Sequence, residues 1–142
     1  MSLSNDPFDL DRFVRAQAED YDRALSELRG GKKRSHWMWY IFPQIEGLGQ
    51  SPMSRRYSIK SAAEARAYLD HLVLGPRLRE CAAVVNGIAG RSALEIFGSP
   101  DDMKLRSCAT LFASVSDDAV FEQVLQKYFN GQHDQETLRR LQ

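Results

Sequence analysis

Apolar residues recur at spacings of three and four through positions 9–29, at Leu10, Phe13, Val14, Tyr21, Ala24, Leu25 and Leu28. Asp11, Arg12, Glu19, Asp20 and Glu27 fill the other faces. This is the pattern of an amphipathic helix with one stripe buried, and Gly30-Gly31 stops it. A second helix is expected over 35–41 or 42, ended by Pro43. The run IEGLGQSPMSRRYS, residues 45–58, reads as a loop, long for a connection between helices and so a candidate for function.

Further along, helix punctuation repeats. Ser61-Ala-Ala-Glu64 has the form of a capping box opening a helix to about residue 73. Gly75 closes it, and Pro76 suits the first position of the next helix, to about residue 86 or 88. Ser92-Ala-Leu-Glu95 repeats the capping signal for a short helix ended by Gly98. Ser99-Pro100-Asp101-Asp102 opens another, with a cap, a first-turn proline and two carboxylates at the positive helix end. Ser116-Asp117-Asp118 does the same for residues 117–130, Gly131 ends that helix, and a short helix over about 135–141 follows. Strand alternation is nearly absent, since the run at 56–60 is too short to build a sheet. The expected fold is all-α, with about six or seven short helices around a central aromatic helix. Residues 1–142 make one domain, with 1–6 and 140–142 as frayed tails.

Composition narrows the function classes. A chain of 142 residues can bury a proper core. Its 19 basic and 19 acidic residues cancel, so no global field points to nucleic acid or a membrane surface as partner. No apolar run approaches the roughly 18 residues of a spanning helix, and the N-terminus lacks the apolar core of a signal peptide. Cys81 and Cys108 lie in apolar segments and are expected as unpaired buried thiols, which suits the cytoplasm. His36, His71 and His133 are scattered, without metal-ligand spacing, and no zinc, phosphate-loop, calcium-loop or nucleophile-elbow motif occurs. Neither a metal nor a cofactor is expected, and the oligomeric state is left open.

One stretch breaks the local rules. In KKRSHWMWYIFPQ, residues 32–44, three cations precede a helix start whose unpaired amides already carry positive partial charge. Elsewhere the helix starts carry aspartates. Trp37 and Trp39, two apart, point about 200° from each other on a helix, so both faces are aromatic, as in a core helix. Two readings stand: a buried helix flanked by solvated cations, or one wall of an anion site. Lys104 and Ser107 share a helix face with Leu111, so they are either a buried polar pair or part of a site.

On the second reading the site lies where the start of the Ser35 helix, the GLGQSPMSRRY loop and the helix from Asp101 converge. Lys33, Arg34, Arg55 and Lys104 would bind an anion, and His36 would donate a hydrogen bond. Trp37 or Trp39 would stack on a planar group, Gln44 and Ser51 would orient it, and Tyr57 and Ser107 complete the set. The ligand expected is a small anionic metabolite, nucleotide- or sugar-phosphate-like. The alternative is a binding or interaction module without chemistry.

HWMWYIFPQIEGLGQS, SRRYSIKSAAEARAYLDHLVLGPRLRE and IFGSPDDMKLRSCATLF together resemble the domain of unknown function family 1810, from about Phe8 to Leu138. Members of that family are small, bacterial or fungal, mainly helical, and sometimes labelled calpastatin. The order of helices looks, more remotely, like the YbiA-like fold, which includes the NADAR N-glycosidases. Ser35-His36 stands where those enzymes have Ser-Glu-His, without the intervening glutamate. That resemblance implies N-glycosidic hydrolysis, for which a carboxylate must activate water or steady an oxocarbenium-like state. Glu46, Asp101 and Asp102 are the carboxylates nearest the motifs.

Overall fold

A computed structural model describes residues 6–142 and is all-α, as the punctuation predicts. The chain forms α1 (Asp11–Arg29), α2 (Met38–Ile41), α3 (Pro52–Arg56), α4 (Ala62–Asp70) and α5 (Leu74–Gly87). Beyond these come α6 (Ala93–Phe97), α7 (Asp101–Val115), α8 (Ala119–Phe129) and α9 (Gln135–Arg140). Nine helices among the described residues exceed the expected six or seven, and α3, inside the run read as a loop, has no counterpart among the expected elements. Of the expected tails, residues 1–5 lie outside the described residues, and Leu141 packs on the core.

The aromatic segment does enter the core. Trp37, Met38, Tyr40, Ile41 and Phe42 are all buried, with Trp37 and Phe42 6.3 Å apart and Phe42 edge-on to Phe97. Its helix is shorter than expected and begins at Met38. α7 packs against α4, α6, α8 and α9, so Leu105, Cys108, Leu111 and Phe112 occupy the middle of the domain. Cys81 and Cys108 are buried free thiols, and loss of solvent pushes Cys81 up to about 12.

Local signals set most helix ends. The hydroxyls of Ser61 and Ser92 accept the amides of Glu64 and Glu95 at 3.1 Å, and Ser92–Glu95 is a complete, reciprocal capping box. Asp118 caps α8 and Asp134 caps α9 in the same way. Ser99 does not cap α7, which starts at Asp101 with no side-chain cap. Ser61→Ala should lower the unfolding free energy by about 1 kcal/mol, the usual loss for a serine cap. An unchanged urea midpoint would show that the bond to Glu64 contributes nothing.

A buried charge network staples the N-terminal turn to the linker before α4. The five N–H groups of Arg12 reach the carbonyls of Phe8, Asp9, Arg56 and Ser58 and the carboxylate of Glu64, the last at 2.8 Å. Glu64 is 1 % exposed, and its second oxygen accepts the Lys60 amide. Ile45 and Ile59 pair in a single parallel bridge, so the strand-like run at 56–60 fastens the loop instead of building a sheet.

Candidate functional site

The 45–58 run is not structureless. Ser51 accepts the amide of Ser54 and Pro52 takes the first helical position, so this serine and proline open α3 inside it. Gly47 turns the chain at a φ of 99°, a region that favours glycine. Gly49 is needed for another reason: a Cβ there would stand 2.4 Å from the Ser54 hydroxyl, so the loop lies directly on α3. The folded loop and the first two turns of α7 enclose a cleft of about 460 Å³. Gln44, Leu48, Ser51 and Ser54 line one side, and Met103, Lys104, Ser107 and Asp134 line the other.

Lys104 is the cation of this cleft. Its Nζ lies 5.6 Å from the centre of the Trp39 ring and 3.5 Å from Asp101 Oδ1. Asp101 spends its charge elsewhere, because Oδ2 is 2.9 Å from Nζ of Lys33, whose side chain is only 8 % exposed. The trio of two lysines and one aspartate therefore carries a net positive charge. Ser107 Oγ lies 3.2 Å from the Met103 carbonyl and 3.1 Å from Asp134 Oδ2. The same Oδ2 accepts the Thr137 amide and hydroxyl at the start of α9. No ion-pair partner for Asp134 and no side-chain hydrogen bond of Gln44 occur among the described residues.

The structure brings together Trp39, Gln44, Ser51, Lys104 and Ser107 of the residues singled out by sequence. Tyr57 is buried and closes an adjoining niche with Trp39 and Gln44. Lys33 stands behind the cleft, bound to Asp101. Arg34 and His36 are exposed and line neither this cleft nor its niche, since α2 starts two residues after His36. Arg55 lies on the far side of α3, because Ser54, Tyr57 and Ser58 face one way on a helix and Pro52, Arg55 and Arg56 the other.

Trp37 offers no stacking face. It is wholly buried, and its indole N–H donates to Glu27 at 2.9 Å. The same Glu27 carboxylate accepts the amides of Arg34 and Ser35 at 2.8 and 3.0 Å and the Ser35 hydroxyl at 2.6 Å. The anion that the KKRSH segment binds is thus the chain's own.

Among the proposed carboxylates, Asp101 sits between two lysines. Glu46 is largely exposed 3.9 Å from Lys60, and Asp102 is absent from the cleft wall. Sequence reasoning missed Asp134. Its signal was an aspartate three residues before Thr137, the spacing of an N-cap, which places a carboxylate at the start of the last helix. No group of three or more histidine, cysteine and acidic side chains among the described residues is arranged to hold a metal ion. No described helix is long and apolar enough to cross a membrane.

A family profile described as "Protein of unknown function (DUF1810)" matches residues 7–141, and the chain belongs to that family. Among solved structures, the chain is similar to the conserved hypothetical protein Rv1873 from Mycobacterium tuberculosis. The two share 55% sequence identity with a TM-score of 0.95 over 96% of this chain and 98% of the other. No curated protein matches.

Proposed function

We propose that the protein binds a small anionic metabolite in the cleft between the 44–54 loop and α7, without turning it over. The observation that supports this reading is Lys104. Its ammonium is held between Trp39 and Asp101, while Asp101 is already neutralised by a nearly buried lysine. Asp101 compensates this cation only in part, and the concave site also holds a side-chain amide and, further along its wall, Asp134. Such a site is suited to a ligand that carries both an anionic group and a hydroxyl or amine. A nucleotide- or sugar-phosphate-like ligand would place its phosphate against Lys104, away from Asp134, and its flatter part toward Trp39, Leu48 and Gln44. Asp134 would accept a hydroxyl or amine from the ligand.

Binding is favoured over N-glycosidic hydrolysis on the state of the carboxylates. A base must be free to take a proton from water. Of the carboxylates nearest the sequence motifs, Asp101 is held by two lysines, and Glu46 and Asp102 do not line the cleft.

The test is a titration of tryptophan fluorescence with adenosine monophosphate and ribose 5-phosphate, with adenosine and ribose as uncharged controls. Saturable quenching by the phosphates alone is expected, weakening as salt screens the charge. Lys104→Ala should reduce affinity at least about tenfold, since a charge-assisted bond contributes roughly 1.5–3 kcal/mol. Equal response to adenosine, or unchanged affinity in the variant, would sink the anion reading. Release of free adenine would show turnover.

A further inference from the structure

We propose that the groove on the far side of α3 is a second ligand site, one that takes the phosphoryl group of a small molecule. Phe8, Asp9, Arg12, Pro52, Arg55, Arg56 and Lys60 line about 500 Å³ there, four cations against one carboxylate. Its floor is rigid. Arg12 is clamped by four carbonyls and Glu64, which ties Phe8 and Asp9 on one wall to Arg56 and Ser58 on the other. All five of its N–H groups are spent, and Glu64 balances its charge, so Arg12 shapes the groove and does not itself hold the ligand.

The donors that remain unspent are at the rim. Among the described residues, the Arg55 side chain has neither an ion pair nor a hydrogen bond to another residue. Arg56 is oriented by Tyr57: its Nε lies 3.2 Å from the tyrosine hydroxyl, and its guanidinium stands 5.5 Å from the ring centre. Its terminal nitrogens stay available. Lys60 leans on Ser58 Oγ at 3.0 Å, with Glu46 only at 3.9 Å. Two guanidinium forks and an ammonium around one groove match the oxygens of a phosphoryl group better than a planar carboxylate, and arginine binds such groups in a bidentate manner. Phe8 and Pro52 give the organic part of the ligand an apolar edge.

This site is independent of the Lys104 cleft, because α3 separates the two: Ser51 and Ser54 face the cleft, while Pro52, Arg55 and Arg56 face the groove. The arrangement also accounts for Arg55, which sequence spacing assigned to the same anion as Lys104.

An amide NMR titration of the full chain with inorganic pyrophosphate at low salt tests the proposal. Saturable shifts centred on residues 55, 56 and 60 are expected. Arg55→Ala/Arg56→Ala should weaken binding, read from the shifts at the groove residues, at least tenfold. If loss of Arg56 disturbs Tyr57, Arg55→Gln/Lys60→Gln should give the same loss with the spectrum elsewhere preserved. Absence of saturable shifts at residues 55, 56 and 60, tighter binding of citrate than of pyrophosphate there, or wild-type affinity there in the double variants would each overturn it.

Discussion

Alanine at position 64 is expected to lower the unfolding free energy by about 4 kcal/mol and the melting midpoint by on the order of 10 °C. Surface ion pairs do not have such effects; the difference here is burial. The Arg12 side chain is 10 % exposed and the Glu64 side chain 1 %, so removing the carboxylate leaves a guanidinium without its counter-charge where water enters poorly. Lys60 also loses the acceptor for its amide. Glutamine, which keeps the shape and one acceptor, should lose clearly less. A cycle pairing Glu64→Ala with Arg12→Met separates the terms, because the double variant buries no lone charge and should be less destabilised than the two single losses added together. A loss below about 1 kcal/mol in Glu64→Ala, or strict additivity in the cycle, would mean that the pair is solvated and the staple is decorative.

Helix ends set by a serine cap or a glycine beside them were mostly legible, and those set from a distance were not. The α4–α5 join is the exception: α4 stops at Asp70, His71 accepts the amides of Val73 and Leu74, and Gly75 and Pro76 lie inside α5. α1 follows its stripe and stops at the glycines. The capping boxes at Ser61 and Ser92 sit where residue spacing puts them, because a serine and a glutamate three apart satisfy each other's backbone without help. α2 is different. The amides of Arg34 and Ser35 go to Glu27, seven and eight residues back, and so the chain stays non-helical until Met38. α3 carried a readable signal in Ser51-Pro52, a capping serine followed by a first-turn proline, but the glycines before it favoured a loop. In the site, Trp39, Gln44, Ser51, Lys104 and Ser107 converge as the interrupted stripe and the long loop suggest. The separation of Arg55 from Lys104, and the diversion of Lys33 to Asp101, depend on which way a five-residue helix faces and on a pairing 68 positions apart, from 33 to 101. No local pattern carries that information.

Glu27 takes up the backbone amides at the end of the three-cation run, and removing it should cost about 3 kcal/mol. The cost arises because Glu27→Ala leaves two backbone amides, the Ser35 hydroxyl and the buried Trp37 indole without their shared acceptor, and bonds to a charged group contribute roughly 1.5–3 kcal/mol each before water repairs the exposed ones. The acid response follows from the same bonds. Burial alone would raise the Glu27 carboxyl, but the Ser35 hydroxyl, the Arg34 amide, the Trp37 indole and the Ser35 amide favour the charged form and hold it at about 2, against an ordinary 4.5. A carboxyl depressed in the folded state binds fewer protons folded than unfolded, so stability rises with pH across that window. This contribution is fully present above about pH 4.5 and is lost as pH falls toward about 2. Glu27→Gln cannot titrate, so its deficit relative to the native chain should be largest at pH 6 and shrink steadily between pH 4.5 and 2. Urea midpoints measured at pH 6, 4 and 3 decide the matter: converging curves place the internal anion at the KKRSH segment, and parallel curves would remove Glu27 from that role and return the segment's amides to an external ligand.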